Sequence, residues 1–345
     1  MPATLDDVPD VAAFFQRLCH RFAIQANSWS LSVEAAVSLE LGSDTVRSRP
    51  TAQPTKADLR TWDVRCGGRS ACGEGGVFAA MAMTPLDILL RVKASVSAAA
   101  AALAPALTTI PQLTSLDLHS NALRAAGATA LAPALTMTTK LRSLNLGRND
   151  LTAAGMIALA PALAAMPQLT SLDLDGNRLG AEGAAALAPV LTTMPLLTSL
   201  DLHSNDLRAA GAVALAPALA AMPQLRLLNL RHNELRAAGA SALAPALAAM
   251  PRLTSLDLRY NFLEAAGAVA LAPALVAMSQ LTSLSLATNQ LTAAAAVALA
   301  PALAAMPQLT SIYLVGNSVK FTEALKRWLR WYEQELNRWN VIQLL

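Results

Sequence analysis

Leucine recurs through the middle of the chain with a period of 28 residues. The segment LTSLDLHSNALRAAGATALAPALTMTTK begins at Leu113, and a truncated eighth copy of it begins at Leu309. The six complete copies between them begin at Leu141, Leu169, Leu197, Leu225, Leu253 and Leu281. Because the period does not slip, each unit is expected to form the same structure and to bury its apolar face against its neighbours.

Within each unit the spacing of the hydrophobic residues changes from two to four. Leu116 and Leu118 are two apart, which predicts one face of a short strand with the polar residues on the other face. Leu131 and Leu135 are four apart, which predicts one face of a helix. A strand followed by a helix in every unit predicts an α/β solenoid, or horseshoe, with an inner parallel sheet and outer helices.

An asparagine stands at the ninth position of every copy. These residues are Asn121, Asn149, Asn177, Asn205, Asn233, Asn261, Asn289 and Asn317. An amide side chain offers both donors and an acceptor, so it can satisfy backbone groups that are freed where a strand ends. We therefore interpret the asparagines as a structural ladder rather than as a binding site.

Glycine and proline recur at fixed positions of each predicted helix. Gly155 lies early in the second helix, where a missing side chain permits neighbouring helices to approach closely. Pro161 lies later in the same helix, and a proline there removes a hydrogen bond and clashes with the carbonyl four residues before it. This predicts a kink or a break in every helix. A second proline, such as Pro167, is expected to close the turn before the next strand.

The unit LxxLxLxxNxL, followed by the helix with its glycine and two leucines, resembles the ribonuclease-inhibitor-like class of leucine-rich repeats. The resemblance covers about residues 85–319. That class includes ribonuclease inhibitor, the Ran GTPase-activating protein and the repeat domains of NOD-like receptors. The resemblance implies a leucine-rich-repeat solenoid. It implies no residue roles, because the array has no cysteine, no phosphate loop is present and the chain has no acidic tail.

The chain divides into four predicted segments. They are a poorly ordered N-terminal segment at 1–84, a degenerate N-terminal cap repeat at 85–112, the repeat array at 113–319 and a C-terminal capping helix at 320–345. The front half of the cap repeat stays open between two structures. Thr84 and Pro85 are typical of the start of a helix, whereas Ile88 and Leu90 stand where a repeat would place its strand.

The C-terminal segment has an apolar face at helical spacing that includes Phe321, Leu325 and Trp328. We expect this face to cover the exposed end of the last repeat, because a solenoid needs a cap. Cations such as Lys326 and Arg327 leave a second interpretation open, in which the segment is a helix that lies on a membrane surface.

Composition narrows the class of protein. The net charge of +3 is too small to imply a strong field for nucleic acid. Ala94–Ile110 contains a proline and follows the repeat pattern, so no membrane span is predicted. The N-terminus MPATLDDVPD lacks the apolar stretch of a secretory signal. Three cysteines, Cys19, Cys66 and Cys72, show no framework spacing, which fits a reducing, cytoplasmic setting.

Two strands carry serine, aspartate and histidine in the order of a hydrolytic triad, Ser115-Asp117-His119 and Ser199-Asp201-His203. Residues two apart on a strand are about 6.6 Å apart, which is long for a contact between a nucleophile and a base. A smooth sheet face also supplies no oxyanion hole. We predict no catalytic residue, no metal site and no cofactor. His203, His232 and Asp201 are the set considered for a metal, but the two histidines stand at different strand positions, and zinc normally has three or four ligands.

The fifth strand position forms an acidic and amide track along the concave face. Its residues are Asp117, Asn145, Asp173, Asp201, Asn229 and Asp257. Two interpretations remain open, a solvated polar face or a track for a basic partner. Asp173 and Asp201 are neighbouring like charges, which should cost some stability. The track disfavours nucleic acid as the partner.

Differences between the otherwise similar repeats indicate where a partner would bind. The later repeats place larger side chains at the end of the strand than the earlier ones, and aromatic residues and arginine are typical interface anchors. The predicted partner-binding residues are Arg231, His232, Glu234, Arg259, Tyr260, Phe262, Asp201 and Asp257. Phe262 has a second interpretation, as a side chain that packs between neighbouring loops.

The sequence therefore predicts a non-catalytic scaffold that binds another protein through its concave face. An alternative is a GTPase activator like the Ran activator, in which an arginine is supplied to the GTPase. Arg124, Arg148 and Arg178 lie near the loops between strand and helix and are its candidates. A third possibility is a structural or sensor module that acts through its N-terminal segment.

Overall fold

The computed structural model describes residues 112–306 and 308–325 together with the short pieces 65–66, 69–70, 86–89, 100, 103–104, 107–108 and 327. Nine described strands form one parallel sheet in chain order. They are β3 Leu86–Leu89, β4 Leu113–Asp117, β5 Ser143–Asn145, β6 Ser171–Asp173, β7 Ser199–Asp201, β8 Leu227–Asn229, β9 Ser255–Asp257, β10 Ser283–Ser285 and β11 Ser311–Tyr313.

A helix follows each strand from β4 to β10. These helices are α1 Arg124–Leu135, α2 Thr152–Ala164, α3 Gly180–Leu191, α4 Arg208–Ala220, α5 Arg236–Ala248, α6 Glu264–Ala277 and α7 Ala293–Ala304. Two further strands, β1 Arg65–Cys66 and β2 Arg69–Ser70, pair with each other in antiparallel fashion. The predicted α/β leucine-rich-repeat solenoid, with an inner parallel sheet and outer helices, is confirmed.

Equivalent residues of successive repeats lie side by side. Leu116 pairs with Leu144 in the sheet, and Leu172 pairs with Leu200, so each leucine column is continuous. These leucines are buried together with the helix leucines in one core that runs the length of the array. The predicted turn is also present. The backbone N–H of Leu169 donates to the carbonyl of Met166 at 3.2 Å, with the intervening proline inside the turn.

The prediction that each helix kinks or breaks at its proline is wrong with regard to a break, because the helices continue through the proline. Helix α2 runs from Thr152 to Ala164 with Pro161 inside it. The carbonyl that loses its hydrogen bond is that of Ile157, four residues earlier. Ile157 is 57% exposed and Pro161 is exposed as well, so both lie on the outer side of the helix. Water can therefore satisfy the freed carbonyl, and the helix continues for another turn.

The front half of the predicted cap repeat contains a strand rather than a helix. Strand β3 pairs with β4 in parallel, with Ile88 opposite Leu116, and the register shifts between Leu86 and Asp87. Thr84 and Pro85, which suggested the start of a helix, lie outside the described residues. The four-segment division of the chain stays a prediction.

At the other end, residues 319–325 are helical. Phe321 and Leu325 are fully buried and belong to the continuous core. The remainder of the predicted capping helix, beginning with Trp328, lies outside the described residues, as do residues 1–64 of the predicted N-terminal segment 1–84. Among the residues that the structure describes, no helix is both long enough and apolar enough to span a membrane.

Candidate functional site

The asparagine ladder closes the end of every strand. The Nδ2 atom of Asn205 donates to the carbonyl of Leu174 in the preceding repeat at 2.8 Å. Its backbone N–H donates to Oδ1 of Asn233 in the following repeat at 3.0 Å. The same pattern continues along the array, and the asparagines are buried from Asn121 to Asn289. The predicted structural role of the asparagines is confirmed.

The acid and amide side chains at the fifth strand position also have a local structural role. Oδ1 of Asp117 accepts the backbone N–H of His119 at 2.9 Å, and Oδ1 of Asn145 accepts that of Gly147 at the same distance. The equivalent bonds occur at Asp173, Asp201, Asn229 and Asp257. Both side-chain types serve because each presents an oxygen to the turn. The column is therefore first of all a turn-forming device, a role that neither sequence-based interpretation included.

Two histidines of the N-terminal half converge on one buried carboxylate. The Nε2 atom of His119 lies 3.7 Å from Oδ1 of Asp175, and the Nε2 atom of His203 lies 3.6 Å from its Oδ2. Arg148 donates from Nε to the same Oδ2 at 3.2 Å. The side chain of Asp175 is only 6% exposed. We call these four residues the His-Asp cluster.

Glycine in the intervening repeat makes this cluster possible. Gly147 occupies the strand position between His119 and Asp175. A Cβ atom there would lie 1.8 Å from Oδ1 of Asp175 and 2.8 Å from Cδ2 of His119. This arrangement was not predicted, because His119 and His203 belong to two separate triad-like sets in the sequence. The seventh-position column, in which His119, Gly147, Asp175 and His203 follow one another, carries the signal.

Three carboxylates are crowded around the cluster. Burial, together with the nearby carboxylates of Asp201 and Asp175, raises the pKa of Asp173 to about 6. Burial opposes ionisation of Asp201 as well, but hydrogen bonds from His203 and Asn229 outweigh it and lower the pKa of Asp201. The hydrogen bond to Asp201 in turn raises the pKa of His203. The predicted repulsion between Asp173 and Asp201 is therefore present.

The triad-like residues do not form a triad. His203 Nδ1 lies 3.3 Å from Oδ1 of Asp201, so the expectation that side chains two apart stay out of contact is wrong for this pair. His203 lies beyond the end of β7, where the chain turns and the ring folds back. Within the described residues, neither Ser115 nor Ser199 hydrogen-bonds to a histidine. The arrangement orients histidines towards carboxylates and provides no activated nucleophile.

No three histidine, cysteine or acidic side chains are arranged to hold a metal ion within the part of the chain that the structure describes. His232, which the sequence analysis considered beside His203, instead lies against an aromatic ring. The centroids of His232 and Tyr260 are 6.1 Å apart, and the two ring planes are inclined by 43°.

The C-terminal half brings together a cationic and aromatic group. Cζ of Arg231 lies 5.0 Å from the ring centroid of Tyr260, in the geometry of a cation–π contact. Tyr260 is 39% exposed and Phe262 is 40% exposed, so neither ring is part of the core. The interpretation of Phe262 as a side chain that packs between neighbouring loops stays a prediction, beside the one that makes it a binding residue. We call Arg231, His232, Tyr260 and Phe262 the aromatic-arginine patch.

The other predicted site residues have partners of their own. Arg259 holds Asp257 through both carboxylate oxygens, with Nε at 3.0 and 2.9 Å, and this bond raises the pKa of Arg259. Glu234 Oε2 lies 3.5 Å from Nε of Arg208. Asp201 contacts His203 and accepts a hydrogen bond from Nδ2 of Asn229 on β8 at 2.8 Å, so it lies between the His-Asp cluster and the repeat that carries Arg231.

Exposed apolar residues extend the patch beyond what the sequence analysis identified. Leu227 is 47% exposed, at a strand position that is serine in the seven other copies. Tyr313 is 42% exposed on the last strand, where the earlier strands have aspartate, asparagine or serine. Tyr313 was not identified from the sequence because it lies in the truncated eighth copy, outside the complete repeats. Leu227 was detectable as the single exception in its column.

Two of the three arginines proposed for a GTPase activator form ion pairs within the array. Arg148 belongs to the His-Asp cluster, and NH1 of Arg178 lies 3.0 Å from Oδ1 of Asp150 in the preceding repeat. These ion pairs hold the side chains against the array itself.

A comparison with protein families identifies the same repeats. The family described as Leucine Rich repeat matches residues 111–132, 139–160, 166–188, 193–216, 222–244 and 250–272. The chain thus carries leucine-rich repeats. Among solved structures, one that it resembles is the leucine-rich repeat-containing protein LegL7 from Legionella pneumophila. The two are 29% identical over 70% of this chain and 78% of that chain, with a TM-score of 0.44. No curated relative matches at a significant level.

Proposed function

We propose that this protein is a non-catalytic scaffold that binds another protein through the C-terminal half of its concave face and the adjoining rim. The observation that most directly supports this proposal is the aromatic-arginine patch. Tyr260 and Phe262 are exposed at positions that hold small or polar residues in most other repeats. Exposed aromatic side chains beside arginine are typical of the residues that dominate interface energies.

The repeat subtype and the location belong to the same proposal. We infer a ribonuclease-inhibitor-like array from the 28-residue unit, and a cytoplasmic setting from three cysteines that show no framework spacing. The GTPase-activating alternative is not carried further, because no feature of the described residues favours it.

Affinity capture from a cell extract, with the full chain as bait, tests the proposal. Arg231→Ala, Arg259→Ala and Tyr260→Ala together should remove a captured protein without lowering the midpoint of thermal unfolding. Because Arg259 is tied to Asp257, the double variant without Arg259→Ala should lose almost as much binding.

The matched control changes His119 and Arg148 to alanine at the other end of the concave face. This variant should retain the captured protein. Retention by the triple variant with loss in the control would move the binding site to the His-Asp cluster.

A further inference from the structure

Arg231 differs from four arginines of the array that have a carboxylate partner. Arg148, Arg178, Arg208 and Arg259 each lie within ion-pair distance of an aspartate or glutamate. Among the described residues Arg231 makes no ion pair, and its buried Nε atom has no hydrogen-bond acceptor. Because this atom is covered, a ligand does not reach it directly, and it is the uncompensated charge of the guanidinium group that would bind a carboxylate favourably.

The guanidinium group of Arg231 is held in place before any ligand arrives. Tyr260 lies 5.0 Å beneath it, and the ring of His232 supports Tyr260 from another side at 6.1 Å. A planar guanidinium fixed on a ring loses little conformational entropy when it forms a bidentate pair with a carboxylate. The arrangement is therefore better suited to one oriented carboxylate than to diffuse negative charge.

Apolar side chains flank this cation along the concave face. Leu227 begins β8, and Arg231 follows two residues after the end of the same strand. Tyr313 lies on the far side of the patch, on the last strand. Both side chains are more than a third exposed. Exposed Leu and Tyr beside an unpaired arginine favour a ligand that carries apolar side chains next to its carboxylate.

The neighbouring repeats limit how much negative charge such a ligand can have. Asp173 and Asp201 lie on β6 and β7, and Asp201 accepts a hydrogen bond from Asn229 on β8, so carboxylates reach the edge of the patch. A long polyanion laid along the sheet would meet these side chains and be repelled. A nucleic acid strand is therefore disfavoured, whereas a segment with a single carboxylate at Arg231 keeps this repulsion small.

We propose that Arg231, Tyr260, Leu227 and Tyr313 form a docking site for a protein segment that carries an aspartate or glutamate next to bulky apolar residues. The inference rests on the proposed function and specifies the partner's chemistry. The carboxylate lies against the guanidinium group of Arg231, and the apolar side chains cover Leu227 and Tyr313.

Selection of a random dodecapeptide phage library on the full immobilised chain tests the proposal. Selected peptides are then synthesised, and their dissociation constants are measured by fluorescence anisotropy. The expected peptides carry Asp or Glu beside Leu, Phe, Trp or Tyr. Arg231→Met should weaken their binding about tenfold or more, as loss of a charge-assisted pair implies. Changing the peptide's Asp to Asn or Glu to Gln should have a similar effect, and added salt should weaken binding to the wild-type chain.

Arg252→Met is the matched control, because Arg252 is an exposed arginine that hydrogen-bonds to Gln224 away from the patch. It should leave the dissociation constants unchanged, and unchanged thermal unfolding of Arg231→Met shows that the variant folds. Peptides without a carboxylate, or peptides that bind Arg231→Met as tightly as the wild type, overturn this inference. If the peptides that overturn it bind Leu227→Ser more weakly than the wild type, they still bind the concave face, and the proposed function survives. Failure to select any peptide that binds the concave face counts against both.

Discussion

Single residues decide which contacts cross from one repeat to the next. His119 reaches Asp175 across a whole repeat because Gly147 has no side chain in the way. The asparagine ladder, by contrast, is identical in every repeat and distinguishes none of them. Specific features of this array therefore arise where one residue departs from its column, as Gly147 and Leu227 do.

Gly147→Ala should destabilise the array by about 2 kcal/mol, within the range for overpacking a buried site. The added methyl group would overlap Oδ1 of Asp175 and force its carboxylate away from His119. Urea unfolding measures the change. The double variant Gly147→Ala, Asp175→Ala should be less destabilised than the sum of the two single variants, because removal of the carboxylate makes room. Simple additivity would show that the clash is relieved in another way.

Two side chains at the strand ends, Asp173 and His203, make the stability of the array depend on pH. Asp173 has a pKa of about 6, above its ordinary value of 3.8, so the folded state holds a proton that the unfolded state releases. Its contribution to stability therefore decreases as pH rises between these values. The raised pKa of His203 acts in the same direction, because its contribution is complete below the ordinary value and is lost as pH rises through the folded one.

The free energy of unfolding should consequently be greater at about pH 5 than at about pH 7.5, by about 1 kcal/mol after screening by solvent. The lowered pKa of Asp201 opposes this change only below its ordinary value, so it does not alter the sign in this window. Urea titrations at the two pH values test the expectation. Asp173→Asn should reduce the difference, and a larger stability at the higher pH would contradict it.

The elements were predictable because every repeat supplies the same evidence for them. The two-residue spacing that starts at Leu116 predicts a strand, and the four-residue spacing that starts at Leu131 predicts a helix. Because eight copies repeat the same spacing, the choice between strand and helix does not depend on one short segment. The continuous helix through Pro161 was not predictable, because the tolerance of a helix for an internal proline depends on which side of the helix faces water. The partner of His203 was not predicted either, since a side chain that leaves the end of a strand no longer obeys the strand's alternation.

At the scale of the whole molecule, stability is the sum of the repeats and of the interfaces between them. Residues 1–80 lack the repeat, so they should be largely dispensable for folding of the array. Limited proteolysis should remove them and leave a fragment that unfolds cooperatively in urea. A fragment that has lost its structure after this trimming would show that the segment completes the core.

The C-terminal end should be far less tolerant than any internal repeat. Phe321 and Leu325 are fully buried against the last repeat, so truncation before Phe321 would expose the apolar end of the core. Deletion of residues 197–224 removes one whole unit and leaves each remaining repeat with a neighbour of the same kind. We therefore expect the truncated chain to aggregate, whereas the internally shortened chain stays monodisperse by size-exclusion chromatography with light scattering. Equal solubility of the two variants would contradict the capping role, because the exposed leucine core would then have no need of Phe321 and the helix that carries it.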